Sequence, residues 1–388
     1  MTSPWTPDAV VLMSSAPVPA APLIDRASLV PVLPGCDLWD YWPVQARDGH
    51  TAAIAGGTLN MLLAAPVLGD PDLRHSIARI RLMHERGGVW RDLGWLLPDD
   101  LAPGSREWSG SAIVDEAHER VTLYFTAAGH RGEVKPSFDQ RLFETSSPLA
   151  IVDDEPRLGP WSRPIQSVAA DGTIYSTDMS GGGAIGTIKA FRDPFFFRDP
   201  ADGQEYLLFA ASLAASHSPW NGAVGVARKI GGGWHLAEPL ISADGVNNEL
   251  ERPHVLCHDG RYYCFWSTQR KVFAADGPGG PSGLYGMVAD SFSGRWRPLN
   301  GSGLVFANPA AAPLQAFSWL VLADLSVLSF VDRPGLAAEP VDPLVARSHF
   351  GGTPAPLLNL SLDGDRARLA RRGRALPASS LAGPRSSR

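Results

Sequence analysis

The chain has 388 residues, with 34 Lys and Arg against 40 Asp and Glu, a net charge of −6 and 44% hydrophobic residues. This length excludes a peptide-scale or disulfide-dependent fold and allows two domains or one large sheet-rich domain built on a repeat. Only 19% of residues are charged and no apolar run approaches a bilayer span, so a soluble globular chain is expected, with neither nucleic acid nor membrane as a partner.

At the N-terminus, Val10 to Met13 is too short for the apolar region of a secretion signal and follows Asp8 with no basic residue before it, so the compartment stays unassigned. LWDYWP, Leu38 to Pro43, sets Asp40 between Trp39 and Trp42. A carboxylate placed among indoles is costly unless its charge is used. Taken alone, the segment also fits an Asp that caps a turn over packed tryptophans. Pro71 at the head of Asp70 to Arg79 suits a first helical position, for one turn or more. In EWSGS, Trp108 beside Ser109 offers a stacking platform with a hydroxyl, or simply a core indole.

Gly181, Gly183 and Gly186 satisfy GxGxxG, but TIKAFRDPFFF after them reads as a strand, which argues against a dinucleotide loop. In FRDPFFF, Pro194 cannot donate to a central ladder, so the strand starts, bulges or ends there and aims Asp193, next to Arg192, out of the sheet. A turn-capping Asp193 paired with Arg192 is the alternative. The second RDP, at Arg198 to Pro200, reads as a hairpin loop. NNELERPHV puts Glu249 and Glu251 two apart on one strand face, where like charge raises the proton affinity of one of them and suits a general acid. A solvated face with Arg252 as a passing counter-ion is the plainer reading.

Strand pairs recur throughout. HVLCHDGRYYCFWST turns at Asp259-Gly260, and similar pairs follow from Ala112, from Phe195 and in LLNLSLDGDRARLA. The polar-aromatic clusters at Asp40, Trp108, Asp193, Glu251 and Phe317 are 68, 85, 58 and 66 residues apart, which suits five propeller blades with insertions, although a β-sandwich with long loops could scatter them similarly. The expected fold is all-β, a five-bladed β-propeller with a central funnel. Residues 1–365 form the single domain. Residues 366–388, with seven arginines, form a basic tail that ends the last strand and then frays. Cys36, Cys257 and Cys264 read as buried apolar thiols, and the scattered histidines, His254 and His258 included, give no metal or triad pattern. Isolated acids from three repeats, meeting among tryptophans at one funnel, describe a sugar-cleaving site.

The ordered motifs LWDYWPVQ, EWSGSA, FRDPFFF, ELERPHV and GLYGMVADS resemble those of glycoside hydrolase family 68, the levansucrases, inulosucrases and bacterial β-fructofuranosidases, and the resemblance spans nearly the whole chain. It implies a retaining double displacement on sucrose, with no cofactor. Asp40 would be the nucleophile, Glu251 the acid/base with a raised pKa, and Asp193 the transition-state stabiliser with Arg192 beside it. Trp39, Trp108, Ser109 and Glu249 would shape the sugar pocket, and Arg252 would orient the paired glutamates. Gln269 stands where levansucrases carry Arg or His, with Arg270 following. That is similar to the β-fructofuranosidase branch and implies hydrolysis and short transfer products, with sucrose and sugar acceptors as partners. Polymeric levan synthesis and a non-catalytic carbohydrate-binding propeller are the alternatives. Phe317 replaces a tyrosine of many relatives. Asn248 replaces an acid of the calcium-binding members, so no metal is expected; oligomeric state is not read from the chain.

Overall fold

The computed structural model describes residues 2–15 and 17–370. Its strands form five successive blades, each an antiparallel sheet that begins with an inner strand and steps outward. Blade one runs from Cys36–Gln45 through Gly57–Pro66 and Arg79–Arg86 to Val89–Trp95. Blade two starts at Arg106–Val114, blade three at Phe191–Arg198, blade four at Glu251–His258 and blade five at Ala316–Val321. The inner strands of the first two blades meet in a short parallel pairing, Val44 with Ala112 and Gln45 with Ile113. The ring closes where blade five meets blade one: Leu38 N–H donates to Gly352 O at 2.9 Å, and Arg347 pairs with the buried Asp37 at 2.6 Å.

Neighbouring blades cover both faces of the inner strands, which explains why FRDPFFF is a continuous apolar run instead of an alternating one. Every residue of Arg106–Val114 is buried, whereas the outermost strand of blade one, Val89–Trp95, is largely exposed. Hydroxyl groups stitch adjacent blades together. Ser111 Oγ accepts from Phe196 N at 2.9 Å between blades two and three, and Ser267 Oγ accepts from Trp319 N at 2.8 Å between blades four and five. His254 is neutral, its pKa lowered to about 3 by burial. Its Nδ1–H donates to Arg252 O at 2.9 Å and its Nε2 accepts from Val321 N at 2.8 Å, so it ties blade four to blade five.

The expected hairpins are present. Asp259 and Gly260 have φ of 46° and 73°, as a tight hairpin turn requires. Pro71–Ser76 is a 3-10 helix, capped by Asp70 Oδ1, which accepts from Asp72 N at 2.9 Å. Near the N-terminus, Thr6 caps the helix Pro7–Val11, and Trp5 is buried against Trp266 with ring centroids 5.4 Å apart. One expectation changes: only Cys264 is buried, Cys36 and Cys257 being half-buried. Arg366–Leu369 pairs with Leu358–Asp363 in blade five. Of the segment 366–388 expected as a basic tail, residues 371–388 lie outside the described residues.

Candidate active site

All five inner strands carry a β-bulge at the same stage of their course. The register shifts between Trp39 and Tyr41, Trp108 and Gly110, Arg192 and Phe195, Glu251 and His254, and Phe317 and Leu320. A bulge re-aims a side chain that a regular pleat would send into the sheet. The residues in or beside these bulges, Asp40, Ser109, Asp193, Glu251 and Phe317, line a single cavity of about 380 Å³. Asp193, Arg252 and Ser318 hold φ of 62°, 50° and 63°, a conformation that costs non-glycine residues of order 1 kcal/mol or more. The surroundings maintain it: Asp193 N donates to Thr126 Oγ1 at 2.9 Å, and Arg252 N donates to Asp193 Oδ2 at 3.2 Å.

The five residues come from five different blades. Ser109 Oγ donates to Asp40 Oδ2 at 2.5 Å, which fixes that carboxylate at the cavity wall. Trp39 and Trp108 are buried beside it, and Trp108 Nε1 donates to His75 O at 3.3 Å. Arg192 is the hub of the charges. Its Nη2 lies 2.8 Å from Glu249 Oε2 and 3.6 Å from Glu251 Oε1, and its Nε lies 3.8 Å from Asp193 Oδ2. Among the described residues the buried Nη1 has no hydrogen-bond partner, a donor left for a ligand hydroxyl. Burial alone would lower the proton affinity of Arg192, but Glu249, Glu251 and Asp193 outweigh it and raise it.

Burial pushes Asp193 up to about 6, Arg192 opposing and Asp40 adding to the rise. Glu251 is raised well above the usual carboxyl range, first by burial and then, against the pull of Arg192, by Glu249 and Asp193. It is therefore suited to hold a proton near neutral pH, as a general acid must. Glu249 is 1% exposed, and its Oε1 accepts from Gly186 N at 2.6 Å.

The glycine segment set aside as a false dinucleotide signature is part of this site. Gly183, Ala184 and Ile185 line the cavity. A Cβ on Gly183 would lie 1.9 Å from the Phe138 ring, so the close approach of loop and ring requires glycine. His75, Arg74, Lys271 and Arg333 also line the cavity without having been singled out in the sequence. His75 is exposed at the cavity, and desolvation by its neighbours, then the charges of Arg74, Arg333 and Arg192, hold its ring below its ordinary pKa.

Two expected roles move. Arg252 does not reach the glutamates: its guanidinium donates to Ser318 O and Oγ at 3.1 and 3.0 Å and to Tyr41 O at 2.9 Å, so it braces three blades while Arg192 orients the pair. Gln269 lines the cavity, but Arg270 is exposed and outside its lining, where Lys271 takes the place instead. Among the described residues, no cluster of three or more His, Cys, Asp or Glu could hold a metal ion. At Asn248, the side-chain oxygen accepts from Lys189 Nζ at 2.8 Å.

Glu107, also missed in the sequence, is 2% exposed, and its Oε2 accepts from Ile80 N at 2.7 Å at the base of the segment bearing His75. Burial pushes it from 4.5 up to about 7, opposed by the Ile80 N–H and Arg79. A carboxyl raised in this way stabilises the fold below its unfolded pKa and loses that contribution as pH rises through its folded value. Glu107→Gln keeps an acceptor for Ile80 and removes the titration. Relative to wild type it should gain about 2–3 kcal/mol between pH 5 and pH 8, read from urea midpoints. Parallel pH profiles for the two proteins would exclude a buried, titrating Glu107.

The description "Levansucrase/Invertase" belongs to the glycoside hydrolase family 68 model, which matches residues 3–227 and 218–373. A levansucrase of Erwinia amylovora is 30% identical over 94% of this chain and 93% of its own length. One of Zymomonas mobilis subsp. mobilis is 31% identical over 94% and 89%. An inulosucrase from Halalkalicoccus jeotgali, solved bound to kestose, superposes with a TM-score of 0.86 at 36% identity and covers 95% of each chain. Matched along its whole described length, with acids from three propeller blades gathered at one sugar-sized cavity, the chain belongs to glycoside hydrolase family 68 and is a glycoside hydrolase/fructosyltransferase acting on sucrose.

Proposed function

We propose that the enzyme is a retaining β-fructofuranosidase that also passes fructose to sugar acceptors, giving short oligosaccharides. The observation that carries this reading is the meeting of Asp40, Asp193 and Glu251 in one cavity, with Glu251 in an environment that retains its proton. In the first step, an Asp40 oxygen bonds to the anomeric carbon of the fructosyl unit. The bond to the glycosidic oxygen breaks, and that oxygen takes the Glu251 proton as glucose leaves. In the second, the Glu251 carboxylate takes a proton from water or a sugar hydroxyl, whose oxygen displaces Asp40 from the same carbon. Asp193 and the free Nη1 of Arg192 bind fructose hydroxyls as positive charge develops on the ring.

The acceptor side favours short products. Gln269 presents a neutral amide to the cavity, Phe317 lacks a hydroxyl there, and Arg270 points elsewhere. The alternatives are a levansucrase forming polymer and a non-catalytic sugar-binding propeller. Chromatography of products from concentrated sucrose separates the three readings: glucose, fructose and short oligosaccharides are expected, dominant polymer would favour levansucrase, and absence of glucose would remove catalysis. Gln269→His should lengthen the oligosaccharide ladder, and an unchanged ladder would refute acceptor control at that position.

A further inference from the structure

Lys189 sits between the glycine segment and the catalytic strand of blade three. Its Nζ is 2.5 Å from Pro219 O, 2.8 Å from Asn221 Oδ1 and 2.8 Å from Asn248 Oδ1. An ammonium has three protons to donate, and here all three have an oxygen partner. Those partners come from two segments, the turn before Gly222–Ile230 and the approach to Glu251–His258, while the lysine itself is on a third. Asn248, fully buried, spends its amide on Ile188 O at 2.9 Å and on Glu249 Oε1 at 3.3 Å. Gln140 Nε2 donates to Lys189 O at 2.8 Å, anchoring the backbone of the clip to blade two. Glu249 in turn receives Gly186 N–H and the Arg192 guanidinium, which also reaches Glu251.

We propose that Lys189 is a positioning residue: a tethered cation whose ammonium locks Asn248, and through it the Glu249–Glu251 pair and the glycine segment above the cavity, into the arrangement that the proposed sucrose cleavage uses. A tether explains the choice of a lysine. The compact ammonium satisfies three oxygens at once, whereas a planar guanidinium matches a carboxylate better than three converging single acceptors. Burial lowers the proton affinity of Lys189, and the charges of Asp178 and Glu249 nearby oppose that. Without the ammonium, Asn248 Oδ1 and Asn221 Oδ1 lose their donor, and the Asn248 amide is no longer held in one orientation toward Glu249.

This inference rests on the reading of the site as a sucrose-cleaving one, and its test separates the two. Lys189→Met, close in volume and without charge, should lower kcat about 10- to 100-fold, with KM changed much less, while the protein still melts cooperatively. Lys189→Ala leaves space for a free amine in place of the missing side chain. Propylammonium chloride should restore turnover of Lys189→Ala at least about fivefold, whereas tetramethylammonium chloride at equal ionic strength, which has no N–H to donate, should not. Wild-type kcat in Lys189→Met, or equal responses to the two salts, would overturn the assignment. Should the wild type itself release no glucose from sucrose, the functional reading fails, and the clamp is judged by melting alone. Propylammonium must then raise the Tm of Lys189→Ala and leave that of wild type unchanged, and equal shifts would overturn it.

Discussion

Asp40→Ala should reduce glucose release from sucrose by about 10⁴-fold or more, with sucrose binding retained. The loss is large because no neighbour can substitute. Asp193 accepts from the Arg252 N–H and is held in the left-handed region, where its carboxylate direction is fixed. Glu251 is committed to a proton. The fold should survive, since the described hydrogen bond lost by Asp40 is the one from Ser109, whose hydroxyl can turn to the cavity. Steady-state turnover together with calorimetric sucrose titration checks both halves. Turnover near that of wild type would exclude Asp40 as nucleophile, and loss of binding together with turnover would point to a damaged pocket.

Arg192→Met should cost about 3–5 kcal/mol of stability, because one buried cation faces Asp193, Glu249 and Glu251, and its removal leaves uncompensated buried acids. Its effect on pH dependence has a definite sign. Arg192 pulls the proton affinity of Glu251 down against burial, so removing it raises that affinity further. An acid that keeps its proton to higher pH moves the alkaline limb of kcat/KM upward, and kcat/KM at its new optimum should still fall about 10²-fold or more as the hydroxyl donor is lost. Arg192→Lys should fall between the two proteins, having the charge without the fork that reaches several carboxylates. Urea denaturation and pH–rate profiles test both, and an alkaline limb moving downward would contradict the arrangement.

The acids were legible in the sequence because each stands in a short, unusual setting: Asp40 between indoles, Asp193 before a proline, Glu251 after a second glutamate. The hairpins were legible for a similar reason, since Asp259-Gly260 has few other conformations open to it. What the sequence concealed is division of labour. Arg192 and Arg252 each adjoin a key acid in the chain, yet one extends into the cavity and the other, turned by a positive φ in the next blade, runs back between strands. Gln269 stands at the N-cap position of the 3-10 turn Arg270–Val272, and Lys271, not Arg270, lines the cavity with it, a choice that residue type and spacing do not reveal. The glycine segment could not be placed at all from spacing, because its contacts, Phe138 and Glu249, lie in blades two and four.

The bond from Leu38 to Gly352 and the pairing of Asp37 with Arg347 put Asp40 only two and three residues from the seam at which the last blade meets the first. Any breathing of the ring at that seam displaces Asp40 directly, and it also strains Arg252, which grips Tyr41 and Ser318 on the two sides of the seam and donates its N–H to Asp193. Heat or denaturant should therefore silence the enzyme while most of its tryptophan fluorescence is still native, so that lost turnover becomes an early gauge of an opened ring.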